Sequence, residues 1–303
     1  MKTKIMRCAF LLLVAALATG VAARAQGAPD FSKVEIKTNK LADNFYTLDG
    51  QGGEIGVLTG PDGVLMVDAQ FAPLSQKIAA AIHQVSDKPI RFLINTHVHA
   101  DHTGGDENFA KMGATILARP ELRERLIHPA PLANGSVPPG APAAGLPVIT
   151  YDAPVTIHMD GEDVRLVPIP RAHTDGDTLV MFPKDDIIMC GDFFRSIQYP
   201  NIDRANGGSL DGMLDGLGRL VGMAGPNTRI VPGHGPMVKR DAVMAQRDMI
   251  IAIRDKVAAL VAQGKSQDEV LAAHPTADYD AKVPNSKETT ERFVTQLYQE
   301  LKK

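Results

Sequence analysis

Short apolar runs alternate with turn-forming residues along most of the chain, and helical spacing takes over towards its end. Residues 34–39, 45–48, 55–59 and 64–67 read as successive strands separated by Gly and Asp turns. Residues 74–85 carry apolar positions at the spacing of an amphipathic helix, and Ile90-Arg91-Phe92-Leu93-Ile94 reads as a buried strand. A short helix at 105–112 follows, with Asp106 and Glu107 at its positive end, then a strand at 115–117 and a helix at 120–126. Residues 155–159 and 164–168 pair as a hairpin around Asp160-Gly161-Glu162-Asp163, and 179–182 pairs with 187–189. Helices are expected at 210–223, 238–262, 266–273 and 287–301. This mixture of elements points to a layered α/β fold.

Two segments break the pattern. Residues 129–147 are rich in Pro, Ala and Gly and have neither period. A structureless segment of this length is uncommon unless functional or disordered, so it either arches over a site or is a plain surface loop. At the start, Lys2, Lys4 and Arg7 precede a short apolar core at 9–18 and the small-x-small triplet Ala23-Arg24-Ala25. Residues 1–25 therefore read as a signal peptide, and 26–303 as a single mature domain with C-terminal helices. The apolar core is short for a full span, so no stable membrane anchor is expected after cleavage, and the protein is expected to be periplasmic or secreted.

Composition narrows the partners. The chain has 303 residues, 44% of them apolar, enough for one large domain or two small ones. The leader carries Lys2, Lys4, Arg7 and Arg24 and no acid, so its loss takes the formal charge from −3 to −7. An acidic surface without a basic, aromatic-rich stretch argues against nucleic acid. Cys8 would leave with the leader, so Cys190 cannot form an intrachain disulfide. Cys190 reads best as a small buried apolar residue, although it shares the strand parity of Asp192, which would point it towards the same donors. Nothing in the sequence fixes the oligomeric state.

The chemistry is concentrated in Thr96-His97-Val98-His99-Ala100-Asp101-His102-Thr103-Gly104-Gly105. His97, His99, Asp101 and His102 are donors that zinc prefers, and burial alone does not call for them. Alternate residues of an extended segment point the same way, so His97 and His99 can reach one ion, while Asp101 and His102 can reach a second as the chain turns. Further donors stand at the ends of strand-like runs: His173 after 164–167, Asp192 after Ile187-Ile188-Met189, and His234 after Ile230-Val231. Loops at strand ends are where such a fold places chemistry. His83, His128, His158 and His274 lack this context and read as structural or surface residues.

The block His97-Val98-His99-Ala100-Asp101-His102, followed in order by His173, Asp192 and His234, resembles the metallo-β-lactamase fold superfamily from about Asn44 to about Pro236. The resemblance implies a four-layer αβ/βα sandwich. It implies one metal held by His97, His99 and His173, a second held by Asp101, His102 and His234, and Asp192 bridging. Asp68 matches the family's early aspartate, which orients ligating imidazoles; a plain turn residue is the alternative. The block has His99 where the diiron flavoprotein relatives have glutamate, which favours two Zn2+ per chain. The mononuclear-iron sulfur dioxygenase relatives keep a similar block.

The activity implied is that of a zinc-dependent hydrolase in which a metal-bound hydroxide attacks, with Asp101 as the catalytic group that orients it and moves its proton. The expected partner is a small-molecule substrate. Opening of a β-lactam ring, and with it antibiotic resistance, is the leading specific expectation. A lactonase, a thioesterase of the glyoxalase II kind and a phosphodiesterase are the alternatives. Where one β-lactamase class has cysteine at the bridging position this chain has Asp192, which moves it towards the broader dimetal hydrolases. Arg195 resembles the cationic position that some β-lactamases use for the substrate carboxylate, and a solvated or ion-paired arginine is the alternative. Tyr199, Asn201 and Asn206 are further candidate substrate contacts.

Overall fold

Two sheets face each other across a shared apolar core. The computed structural model describes residues 30–132 and 134–302, so the expected leader and Cys8 lie outside the described residues. The first sheet has the order β1 (Lys37–Lys40), β2 (Phe45–Asp49), β3 (Ile55–Gly60), β4 (Gly63–Val67), β5 (Ile90–Ile94), β6 (Thr115–Ala118), β7 (Ile149–Thr150). Strands β1 to β4 form an antiparallel meander, and β4 to β7 run parallel. The second sheet is built from β8 (Val155–Met159), β9 (Glu162–Ile169), β10 (Asp177–Phe182), β11 (Ile187–Met189) and β12 (Arg229–Val231), in the spatial order β12-β11-β10-β9-β8. Only its β11–β12 pair is parallel.

Side chains alternate faces along a strand, so each sheet buries both surfaces only if both are covered. Phe45, Leu65, Val67 and Ile94 of the first sheet meet Val164, Leu166, Phe182 and Met189 of the second. The outer face of the first sheet packs Val57, Val64 and Met66 against Ile78 and Ile82 of α1 (Ser75–His83) and, past the single turn α2 (Ala100–Thr103), Phe109 of α3 (Asp106–Lys111). Helix α4 (Pro120–Ile127) follows β6. The outer face of the second sheet packs Val167, Leu179 and Ile188 against α5 (Leu210–Met223), α6 (Arg240–Ala262), α7 (Gln267–Ala272) and α8 (Ser286–Leu301). The result is the αβ/βα sandwich that the resemblance implies.

Several boundaries differ from the sequence reading for identifiable reasons. Asp160 and Gly161 take φ of 54° and 73°, and Met159 pairs with Glu162, so the β8–β9 hairpin turns on two residues rather than four. Helix α7 begins where Ser266 and Glu269 form a reciprocal capping box. Strand β7, two residues long, closes the Pro/Ala-rich segment and has too little pattern to be seen in sequence. That segment lies along the helices: Ala141 N–H donates to the Leu126 carbonyl at 2.8 Å and Gly145 packs on Glu107. Cys190 faces the helical side of the second sheet, fully buried among Val167, Phe193 and Met213, and not the donor cluster.

Candidate metal centre

Seven side chains from four strand ends meet at one edge of the sandwich. Beyond β5 the chain bends at residues 96–98 and is extended again at His99, just before α2, and this brings the His97 and His99 rings edge to face at 4.9 Å. One turn of helix brings His102 back beside them, its ring 4.0 Å from that of His97. After β9, the turn carrying His173 is pinned by Asp177, which accepts the N–H groups of His173 at 2.6 Å and Thr174 at 3.0 Å. Asp192 sits in the single turn after β11, and His234 follows β12.

The donors fall into two sets, His97, His99, His173 and Asp192 in one and Asp101, His102 and His234 in the other; within each, one ligand atom per residue lies within 4.8 Å of the rest. Asp192 reaches both. Its Oδ2 is 3.6 Å from His97 Nε2, 3.8 Å from His173 Nε2 and 3.5 Å from His234 Nε2, and its Oδ1 is 3.6 Å from His102 Nε2. Asp101 Oδ2 is 3.0 Å from His234 Nε2.

Outer contacts fix which ring nitrogen each histidine offers. Asp68 Oδ2 lies 2.6 Å from His102 Nδ1 and accepts the Thr96 hydroxyl at 2.7 Å; that hydroxyl oxygen is 3.1 Å from His97 Nδ1. His173 Nδ1–H donates to the Asn201 carbonyl at 2.7 Å. His99 Nε2–H donates to Asp203 at 2.7 Å. With the outer nitrogens protonated, lone pairs face inward from Nε2 of His97 and His173 and from Nδ1 of His99, and Nε2 of His102 joins them once it gives up its proton. His99 Nδ1 and His173 Nε2 then oppose each other at 3.0 Å, and His97 Nε2, His102 Nε2 and Asp192 Oδ1 are buried without a partner. Converging lone pairs with no proton to share are what a cation satisfies, and mainly imidazole donors suit zinc. The residues present therefore fit a pair of divalent metals.

Charge and burial set the ionisation. Burial, with His102, His173 and His99 nearby, drives His97 well below the usual imidazole range, and burial with His99 takes His173 down to about 3. Burial opposes charge on Asp101 and Asp192 too, but His234 and His102 hold Asp101 at about 2, and Arg195 with the histidines holds Asp192 lower still. Burial also opposes the His102 cation, yet Asp68 and Asp192 overcome it and raise that imidazole to about 9. His99, Asp101 and His234 are partly exposed, whereas His97, His102, His173 and Asp192 form a buried floor.

Two glycines leave the room. A Cβ on Gly233 would stand 2.1 Å from Asp192 Oδ1, and one on Gly53 would stand 2.1 Å from the His102 ring. The other expected contacts are distributed differently. Arg195 donates through Nη2 to Asp192 Oδ2, so its guanidinium is engaged inside the cluster rather than offered to a substrate. Tyr199 is fully buried, stacked on Phe293 at 5.4 Å, and its hydroxyl donates to Asp280 at 2.8 Å; it is a packing residue, not a substrate contact. Asn201 serves through its carbonyl, with its side chain on Gln296. Asn206 Nδ2 donates to Asp203 at 2.7 Å and so holds the group that holds His99. Sequence reasoning missed Asp203 because it lies 104 positions from His99 and has no motif of its own. Thr96 lay inside the motif, but its relay role is visible only in the fold.

The Metallo-beta-lactamase superfamily model matches residues 48–263, more than half of the chain. Among known proteins, the chain is 25% identical over 194 residues to a metallo-beta-lactamase type 2 of Elizabethkingia meningoseptica, covering 61% of this chain and 71% of that protein. It is 27% identical over 137 residues to the 2,4-dinitroanisole O-demethylase subunit alpha of Nocardioides sp. (45% of this chain) and 35% identical over 54 residues to a linear primary-alkylsulfatase of Pseudomonas sp. (18% of this chain). Those matches span only 39% and 10% of these two relatives. A metallo-beta-lactamase from Pontibacter korlensis superposes with a TM-score of 0.59 at 16% identity, over 72% of this chain and 99% of that one. The sec-alkylsulfatase Pisa1 from Pseudomonas sp. superposes with a TM-score of 0.64 at 16% identity, over 87% of this chain and 50% of that one. The chain belongs to the metallo-β-lactamase superfamily, a family of metal-dependent hydrolases.

Proposed function

We propose that the chain is an exported dizinc hydrolase of small molecules, with a β-lactam ring as its leading substrate. The observation that carries the dimetal reading is the Asp192 carboxylate, which stands within 3.8 Å of histidines from both donor sets. His97, His99 and His173 would hold one ion, Asp101, His102 and His234 the other, and Asp192 would join them. Cations held there would polarise a substrate oxygen and acidify a water molecule. Asp68 and Asp203 keep the imidazoles aimed inward. Asp101 stands at the rim and, ionised, would accept a hydrogen bond from the attacking water, aim it and relay its proton. The partly exposed rim of His99, Asp101 and His234 is the side from which a substrate enters.

Support for the lactam comes from the type 2 metallo-beta-lactamase relative, whose match covers most of its length, and from the leader-like residues 1–25. Sulfate-ester or aryl-ether cleavage is the second reading, favoured by the alkylsulfatase and O-demethylase relatives. The test is a panel on zinc-loaded protein: a chromogenic cephalosporin, a lactone, a thioester, a phosphodiester, an alkyl sulfate and an aryl methyl ether. Metal analysis is expected to find close to two zinc per chain, and the cephalosporin is expected to turn over fastest. One iron per chain would overturn the dizinc assignment, and turnover confined to the other substrates would overturn the lactam.

A further inference from the structure

Arg195 belongs to two places at once. Its Nη2 donates to Asp192 in the donor cluster, and the same residue lines a second cavity of about 300 Å³ between α6 and residues 279–284. That volume is within the range of small-molecule sites. The lining is chiefly apolar, with Ala245 and Met249 of α6 facing Val283 and Pro284, and its only other charged residue is Lys282. Lys282 is exposed, and Asp278, whose carboxylate it also helps to hold ionised, is bridged to Lys256 at 2.6 Å. The Arg195 charge is taken up by Asp192, so Lys282 is the cation that this lining offers to a ligand. An apolar slot with an exposed ammonium at its edge fits a small monoanion that has an apolar body.

We propose that this cavity is the subsite for the apolar, carboxylate-bearing end of the substrate, with Lys282 pairing the carboxylate and Met249, Val283 and Pro284 covering the apolar body. This rests on the hydrolase reading, because only a shared wall at Arg195 connects the subsite to the reacting centre. It also moves the carboxylate anchor from Arg195, which Asp192 occupies, to Lys282.

The test is titration calorimetry of the full chain with sodium octanoate, using chelator-treated protein so that the carboxylate cannot ligate a metal. Saturable one-to-one binding is expected. Octan-1-ol should bind at least tenfold more weakly, Lys282→Glu should weaken octanoate at least tenfold, and Lys282→Arg should restore it. Ala245→Trp, an exposed position whose indole would fill the slot, should abolish binding with the fold unchanged by circular dichroism. Octanoate binding that is absent, or indifferent to Lys282→Glu, would overturn the subsite. Because binding is read without turnover, an inactive protein that still binds octanoate through Lys282 removes the hydrolase reading alone, and an active one that does not bind it removes the subsite alone.

Discussion

Asp203 and Arg195 act on different members of the donor cluster. Asp203 accepts from His99 at 2.7 Å and is itself braced by Asn206, so it fixes the imidazole with Nδ1 inward. Removing such an outer carboxylate costs about 10- to 100-fold in metal affinity. Asp203→Ala is therefore expected to lower zinc affinity in a chelator competition by that factor, with the far-ultraviolet spectrum unchanged; equal affinity would mean that His99 needs no brace. Arg195 neutralises Asp192, and leaving a buried charge without its partner is costly. Arg195→Ala is expected to cut kcat about tenfold or more while KM for an anionic cephalosporin changes about twofold or less, since the guanidinium serves the cluster. A rise in KM alone would return Arg195 to the substrate carboxylate. Tyr199→Phe should leave both constants unchanged and lower stability by about 0.5–1.5 kcal/mol in urea unfolding, because the part-buried Asp280 contact is lost.

At the scale of elements, the turn between β2 and β3 is pressed onto the metal motif. Gly53 N–H donates to the Asp101 carbonyl at 3.0 Å, and Gln70 Nε2 donates to the Gly53 carbonyl at 2.8 Å. A methyl group at Gly53 collides with His102, whose ring Asp68 holds in place. Gly53→Ala is expected to destabilise the protein by about 1–3 kcal/mol, measured by thermal melting, and to reduce bound zinc below two per chain. Strands β4, β5, β10 and β11 were legible from apolar runs, and the donors at strand ends from their residue types. The close approach of Gly53 and the Asp203 brace were not, because they join segments distant in sequence and leave no periodic signal. The burial of Tyr199 was hidden for a similar reason. Tyr199 lies close to Asp192 along the chain, but its ring is drawn into the core under α8, and proximity in sequence gave no warning of that direction.

For the whole molecule, pH acts through His102. Asp68 and Asp192 raise its imidazole to about 9, above the unfolded value of about 6.5. In metal-free protein its contribution to stability is fully present below about pH 6.5 and is lost as the pH rises through about 9. Metal must displace that proton, so zinc uptake at pH 7.5 is expected to release about one proton per chain from His102, with apparent affinity for that ion rising about tenfold per pH unit up to about pH 9. Calorimetry in buffers of different ionisation enthalpy measures the release; none would mean that His102 is already neutral.

The donors also come from both halves of the sandwich: His97, His99, Asp101 and His102 follow β5, whereas His173, Asp192 and His234 follow β9, β11 and β12. Neither half can build either site alone. A bound pair of ions would thus act as a rivet through two plates: the sheets could not part without shedding it, and the loaded protein would come undone in one step.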